Sequence, residues 1–420
     1  MVEVCVLFGS QTGSAEEVSE RVARDLSNRN FSVRTVCSLD AYDRLNLVNE
    51  EVVVFVVATT GDGDVPDNMK LFWRFLLRKG LPPDILSSLR FAVFGLGDSS
   101  YAKYNYVARM LGNRLLKLGA TEIVDRGFGD DQSENGLEGD LDAWLSGVFS
   151  PQILAAYPLP PGFVIDDSPK LCSLKNKGVT LRQAQLQGEE LGRSRDSLVS
   201  AGRRPLGCYE TVPLNGVVRE NKRITSADWD QDVRHISLEV SDCPKYVPGD
   251  VAIVYPVNAC DKQFLVNFAT RVGLGALESV IYIKGDGTVT DQGIPREVTI
   301  GELLTRYLDI LGTPRRRFFE TLYFFTQDEE EKEKLLEFCS AEGNDLFHSY
   351  CKKERKTYVD VFNDFRTCKP PIEYLVEMIP VLQPREYSIA SSRKSRGEHT
   401  VELTVALLKY TTPWGRNKTG

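Results

Sequence analysis

The sequence predicts an α/β protein in two parts, a doubly wound parallel sheet followed by an antiparallel barrel that a helical segment interrupts. Three observations predict it. Residues 1–150 alternate short β-branched runs with amphipathic stretches. One of those runs, VVVFVVA at 52–58, has no polar face. Further on, the two-residue alternation of VRHISLEV at 233–240 returns in HTVELTVALLKY only after a long helical pattern. A strand without a polar face must be covered on both sides, as crossover helices do in parallel sheets. Two-residue alternation marks strands with one face on a core.

In the first part the expected strands are Val4–Phe8, Phe31–Val36, Val52–Ala58, Phe91–Gly95 and Glu122–Val124. Between them Val18, Val22 and Leu26 recur at four-residue spacing, and Phe72, Phe75 and Leu76 share a second helical face. Residues 151–212 change composition, with PLPPG at 158–162 and a polar stretch poor in aromatics, and read as a linker. Residues 213–258 read as the first part of the barrel, with the turn and strand of YVPGDVAIVYP. Residues 259–380 read as the helical insertion, including the acid-rich QDEEEKEKLLEFCS, and 381–420 as the second, incomplete part of the barrel.

Composition narrows the function. The 420 residues are 42% hydrophobic and carry a net charge of −8, enough apolar content for two or three packed domains. Residues 1–150 hold 15 Lys/Arg against 22 Asp/Glu. So acidic a domain argues against nucleic acid as a partner and suits either a basic or metal-bearing protein surface or a charge that only solubilises. No apolar run approaches the roughly 18 residues of a membrane span, and the opening MVEVCVLFGS lacks the basic lead of a signal peptide. Nine cysteines, odd in number and without a C-x-x-C pair, read as reduced thiols in the cytoplasm.

Ligands of an open parallel sheet sit where loops leave the carboxyl ends of its strands. The loop Ser10-Gln11-Thr12-Gly13-Ser14 joins the first strand to a helix, where amides and hydroxyls can hold a phosphate. It has no Lys or Arg, so it suits the phosphomonoester of FMN better than a nucleoside triphosphate. Thr59-Thr60-Gly61-Asp62-Gly63-Asp64 follows the most apolar strand, its glycines permitting close approach to a flat ring. Gly97-Asp98-Ser99-Ser100-Tyr101-Ala102-Lys103-Tyr104-Asn105 follows the fourth, with Tyr101 as a candidate stacking ring. Gly129-Asp130-Asp131-Gln132 follows the fifth.

In order and spacing, SQTGS, TTGDGD, GLGDSSYAKYN and GDD resemble the FMN-binding loops of the flavodoxin-like domain of diflavin reductases. The resemblance implies that Ser10 to Ser14 hold the FMN phosphate. It implies that Thr59 to Gly63 and Gly97 to Asn105 enclose the isoalloxazine, with Asp98, Tyr104 and Asn105 in the third loop, Tyr101 stacked on the ring and Asp131 near its edge. Where many relatives have a second aromatic, this chain has Thr60. That threonine and the run PDNMK-x-FWRF are similar to the soluble reductases of cytosolic iron–sulfur assembly, and next to the methionine synthase reductases.

In the second part, Arg385-Glu386-Tyr387-Ser388 resembles the R-x-Y-S motif of the FAD-binding barrel. The resemblance implies Arg385 on the FAD pyrophosphate, Tyr387 on the flavin, and Ser388 beside the reactive edge as the catalytic position. The family also implies NADPH as electron donor, an anamorsin-type iron–sulfur protein as acceptor, and a nicotinamide-binding module beyond Gly420. The expectation is therefore a C-terminally truncated electron-transfer reductase that does not oxidise NADPH by itself. The alternatives are a methionine synthase or cytochrome reductase relative, or a fragment that binds FMN and a partner without turnover.

Other features read as structural. His235, His348 and His399 have no metal-ligand neighbours at useful spacing. Arg315-Arg316-Arg317 reads as a solvated helical end, or as a contact to the acidic first domain. Gly273-Leu274-Gly275 lacks the third glycine and the preceding strand of a dinucleotide fingerprint. Ser10, Ser99 and Ser388 lie in no nucleophile elbow.

Overall fold

The structure, a computed structural model, describes residues 1–171, 174, 179–182, 214–284, 290, 293–340 and 342–419. The chain divides into two compact units, Met1–Lys170 with Ser340–His348, and Leu171–Cys339 with Ser349–Gly420.

The first unit is built on β1 (Glu3–Gly9), β2 (Ser32–Ser38), β3 (Val52–Ala58) and β4 (Arg90–Gly97), continued by β5 (Thr121–Glu122) and β6 (Gly127–Asp130). All pairings are parallel, in the order β2-β1-β3-β4-β5, with β6 also on β4. This is the flavodoxin-like doubly wound order. The apolar run of β3 is explained by its position. Val52, Val54 and Val56 enter the core on one side of the sheet, while Val53, Phe55 and Val57 enter the core on the other. All six are buried. α1 (Ser14–Asn28) covers the first face with Val18, Val22 and Leu26, and α2 (Lys70–Leu76) brings Phe72 and Leu76 to the second.

The fifth strand is not the single Glu122–Val124 run that composition suggests. From Phe91 to Phe94 the sheet advances three residues on β4, while its neighbour uses five between Glu122 and Gly127. The surplus loops out because other elements claim its backbone. Trp144 Nε1 donates to the Asp125 carbonyl at 2.8 Å, and the Asp125 amide donates to Gln152 Oε1 at 2.7 Å. Pairing resumes at Gly127, where a Cβ would fall 2.4 Å from the Phe94 ring and 2.7 Å from Trp144.

The expected boundary at 150 also shifts. α3 (Tyr106–Lys117) and α4 (Gly136–Trp144) are followed, through a π-helical turn, by α5 (Ser150–Ala156), so the domain continues into the stretch read as linker. Pro151 is tolerated in the first turn. Ile153 is fully buried and Tyr157 meets Phe31 edge-to-face. The expected linker also contributes β7 (Val179–Arg182), while 183–213 lie outside the described residues.

In the second unit the antiparallel strands are β8 (Gly216–Arg223), β9 (Val233–Val240), β10 (Val251–Val254), β11 (Val280–Ile283), β12 (Glu297–Thr299), β13 (Arg385–Ser388), β14 (Thr400–Ala406), β15 (Lys409–Thr411) and β16 (Asn417–Thr419). They pair as β14-β9-β8, β10-β13, β12-β11-β7 and β15-β16. Between β10 and β13 lies the helical insertion, with α6 (Lys262–Arg271), α7 (Arg316–Leu322), α8 (Glu329–Cys339), α9 (Tyr358–Asp364) and α10 (Ile372–Met378). It also holds β11 and β12, which composition does not separate from the helices.

Two charged groups of the helical insertion, Arg316 and Glu354, are internal among the described residues. Arg316 is 2% exposed, which corrects the reading of residues 315–317 as a solvated end. Its Nε donates to the Phe338 carbonyl at 3.3 Å, in the last turn of α8, where the negative helix end favours a cation. Glu354, 1% exposed, accepts from Thr412 Oγ1 at 2.7 Å and from the Trp414 amide at 2.9 Å. Arg416 adds a bond to the Glu354 carbonyl and an ion pair with Asp360 at 2.5 Å, tying the β15–β16 hairpin to the insertion. Gly273 and Gly275 follow the end of α6 with φ of +77° and +82°, so that sequence ends a helix and forms no strand-to-helix phosphate turn.

Candidate functional site

The four loops singled out in the sequence leave the carboxyl ends of β1, β3, β4 and β6. The first is organised by Ser10. Its Oγ accepts from the Gly13 amide at 2.9 Å and the Ala15 amide at 3.2 Å, and Gly13 takes a left-handed φ of +91° at the start of α1. Both lone pairs of the hydroxyl are thereby engaged, and its proton remains available to an acceptor outside the loop. Gln11 and Thr12 are exposed. No cationic side chain belongs to the loop, so its positive character comes from amides at the helix start.

This loop leans on the segment before α2. The Ser10 amide donates to Asn68 Oδ1 at 2.8 Å, and the Asn68 carbonyl accepts from the Asp40 amide at 2.9 Å. Asp67 receives Lys70 at 2.5 Å and Gln11 Nε2 at 3.0 Å. The Lys70 bond holds the Asp67 carboxyl below its ordinary range against the opposing effect of burial, and Gln11 adds to it.

The second loop closes on itself. The Thr60 amide donates to the Asp64 carbonyl at 3.0 Å and the Asp64 amide returns to the Thr60 carbonyl at 2.8 Å. Gly61 and Gly63 have φ of +48° and +85°, which side-chain-bearing residues rarely adopt. Thr59 is used structurally. Its amide bonds the Leu96 carbonyl at 2.9 Å, and its hydroxyl accepts from the Val107 amide at 3.3 Å at the start of α3.

The third and fourth loops are laced together. Asp98 Oδ1 accepts from the Ser100 hydroxyl at 2.5 Å and amide at 2.9 Å, which lower its pKa. For Asp130 burial acts upward, yet the bonds from Ser99 and Gln132 outweigh it and its pKa is also lowered. The Asp131 amide donates to the Gly97 carbonyl at 3.0 Å, and Tyr104 Oη to the Phe128 carbonyl at 3.2 Å. Asn105 is fully buried with φ +51°, and its Nδ2 donates to the Gly129 carbonyl at 2.9 Å. Gly97 gives it room, since a Cβ there would lie 2.9 Å from the Asn105 nitrogen. Amid these tied residues Tyr101 is 65% exposed. Ten of the candidates, from Ser10 to Ser14 and Thr59 to Gly63, therefore share one rim with Gly97, Asp98, Tyr101, Tyr104, Asn105 and Asp131.

In the second unit β13 pairs with β10 in the register Val251↔Ser388, Ala252↔Tyr387, Val254↔Arg385. Strand alternation puts Arg385 and Tyr387 on one face and Glu386 and Ser388 on the other. Tyr387 packs partly on the cluster of Val240, Ile389, Val401 and Leu403, whereas Arg385 and Ser388 are exposed. Arg385 Nη1 donates to the Gln383 carbonyl at 3.0 Å. Sequence reasoning missed the support beneath this strand. Tyr246 Oη lies 2.7 Å from Ser391 Oγ and donates to the Thr400 carbonyl at 2.6 Å, while the Glu402 amide donates to Ser391 Oγ at 3.1 Å. The serine run after the motif was the signal for it.

Comparison with known proteins agrees with this geometry. Residues 6–144 match the flavodoxin family and residues 210–420 the FAD-binding domain family. The chain is 37% identical to the NADPH-dependent diflavin oxidoreductase 1 of Xenopus laevis, over 97% of this chain and 68% of that protein. The chain belongs to the NADPH-dependent diflavin oxidoreductase family. Its similarity to the family member of Danio rerio is 39% over 97% of this chain and 67% of the relative, and to that of Dictyostelium discoideum 36% over 98% and 63%. It thus spans about two thirds of the length of the diflavin oxidoreductases it matches.

FMN and FAD are the cofactors of the diflavin oxidoreductase family's two domains, and the residues at both sites fit them. The Ser10 hydroxyl proton and the amides at the start of α1 form a neutral donor set for a phosphomonoester. The exposed Tyr101 ring offers a flat face to an aromatic ligand. Arg385 supplies an exposed cation for a pyrophosphate. Among the described residues no helix is long and apolar enough to cross a membrane.

Proposed function

We propose that this chain carries the FMN and FAD sites of an electron-transfer reductase that draws on NADPH and reduces a protein acceptor. In this reading residues 1–150 bind FMN, residues 213–258 and 381–420 form the FAD-binding barrel, and 259–380 connect them. When bound, the two flavins supply the redox chemistry, taking hydride at one and releasing single electrons from the other. The rest is positioning. Ser10 to Ser14 hold the phosphate of FMN without adding a cation, so this loop itself lends no charge to the electron-rich reduced ring. Thr59 to Gly63 and Gly97 to Asn105 enclose the ring, Tyr101 stacks on it and Asp131 borders it. Arg385 anchors the FAD pyrophosphate, Tyr387 packs on its flavin, and Ser388 stands as the catalytic position at the reactive edge. Oxidation of NADPH is read from the family, whose members are about one and a half times the length of this sequence.

The observation that carries this reading is the convergence of four loops on one sheet rim, the second, third and fourth bonded to one another and the first to the segment before α2, around an exposed tyrosine and an uncharged phosphate cradle. We further propose a cytoplasmic setting and an anamorsin-type iron–sulfur acceptor. The excess of acidic side chains in residues 1–150 favours a basic or metal-bearing surface. The deciding experiment extracts and quantifies flavin from the purified chain. One FMN per chain, lost on Tyr101→Ala with Ser10→Ala, supports the reading; colourless protein that takes up no added FMN refutes it. Anaerobic NADPH is expected to bleach the flavin of a full-length relative and not of this chain. Reduction assays with anamorsin-type and methionine synthase acceptors separate the branches.

A further inference from the structure

Lys103 joins the second and third loops of the rim. Its ammonium donates to the backbone carbonyl of Asp62 at 2.7 Å and to Asp62 Oδ2 at 3.1 Å. Its aliphatic stem covers Gly63, where a Cβ would fall 2.4 Å from Lys103 Cδ. These two polar contacts are unequal. The Asp62 side chain is 90% exposed and that of Lys103 45% exposed, so water and salt screen the ion pair. The bond to the carbonyl is charge-assisted and acts on backbone, at the tip of a turn closed at its base by Thr60 and Asp64. Gly61 and Gly63, on either side of that carbonyl, leave the tip more conformational freedom than other residues would.

We propose that Lys103 is a positioning residue for FMN, whose bond to the Asp62 carbonyl, and not its ion pair with the Asp62 carboxylate, fixes the tip of the second loop against the third. The proposal rests on the reading of this rim as the FMN site. A loop held in place before the ligand arrives loses less freedom on binding, which favours affinity. A carbonyl oxygen occupied by a cation presents less negative potential to an electron-rich reduced ring, which raises the potential of the bound flavin.

The test uses the whole chain stripped of flavin and titrated with FMN, followed by fluorescence quenching, as wild type, Lys103→Met, Lys103→Arg and Asp62→Ala. Spectroelectrochemical titration of the chain loaded with FMN alone gives the midpoint potential. Lys103→Met keeps the stem over Gly63 and loses the ammonium. It is expected to weaken FMN binding by about three- to tenfold, to move the potential negative, and to leave the melting temperature of the flavin-free chain unchanged. Lys103→Arg is expected to restore most of the affinity, and Asp62→Ala, which keeps the carbonyl and loses only the carboxylate, to lose clearly less affinity than Lys103→Met. Wild-type affinity and potential in Lys103→Met overturn the proposal, as does an Asp62→Ala variant as impaired as Lys103→Met. Failure of the wild type to bind FMN removes the parent reading, and the latch falls with it.

Discussion

Gln11 and Asp67 exchange two hydrogen bonds across 56 residues of sequence. Gln11 Nε2 donates to Asp67 Oδ2, and the Asp67 amide donates to Gln11 Oε1, each at 3.0 Å. The first loop of the rim is therefore held from outside by the segment that leads into α2. Gln11→Ala is expected to weaken FMN binding by about tenfold, read by equilibrium titration, with little change in the melting of the flavin-free chain. Gln11→Glu is expected to be worse, because it sets a second carboxylate against Asp67.

Asn105 combines a left-handed backbone, complete burial and a bond to the Gly129 carbonyl. Asn105→Ala keeps the strained backbone and leaves that carbonyl without its donor, at a cost of about 2–3 kcal/mol. Asn105→Gly loses the same bond but relaxes the backbone, so it recovers about 1 kcal/mol of that loss. Chemical denaturation of both variants measures the order; equal losses would show that the backbone carries no strain.

Asp25 gives the first unit a pH dependence. Burial raises its pKa to about 6, although Arg29 at 2.7 Å and the Ser150 hydroxyl at 3.3 Å oppose the shift. A folded pKa above the unfolded one means that the native state holds the proton more tightly. The contribution of Asp25 is thus most favourable below about pH 4 and is lost as pH rises through 4 to 6, by on the order of 3 kcal/mol. Asp25→Asn is expected to gain in thermal midpoint relative to wild type between pH 4.5 and 7.5, and parallel curves for the two proteins would contradict this.

Glu354 holds the β15–β16 hairpin through Thr412 and the Trp414 amide. Glu354→Ala leaves both donors without their acceptor, a loss of about 2–4 kcal/mol to that segment. Tryptic cleavage after Arg416 and Lys418 is expected to accelerate by at least about tenfold, with Glu354→Gln intermediate. Unchanged cleavage would show that the hairpin is held by its own strands.

The sheet order and the rim were legible because local patterns determine them. VVVFVVA admits one environment, and β3 has the bounds that pattern suggests. The loops could be placed since a ligand rim follows from strand direction. What escaped was set by distant backbone. The fifth strand breaks because Trp144 takes the carbonyl of Asp125 and Gln152 its amide. Arg316 is buried because a carbonyl 22 residues away accepts its Nε, which no charge run reveals. Lys103 resembles any surface lysine until the second loop folds back beneath it. Thr59 carries the motif, yet its hydroxyl serves α3.

A sheet edge that stops after two residues is a poor template for another molecule. Between β5 and β6 the chain leaves the ladder, and Arg126 grips Glu122 at 2.6 and 3.0 Å across the gap. A strand from a neighbouring copy would meet a short ladder, then a compact knot of charge, then a displaced continuation. This side therefore offers an incoming strand a poorer template than an unbroken edge would, and the same break shapes the last loop of the rim.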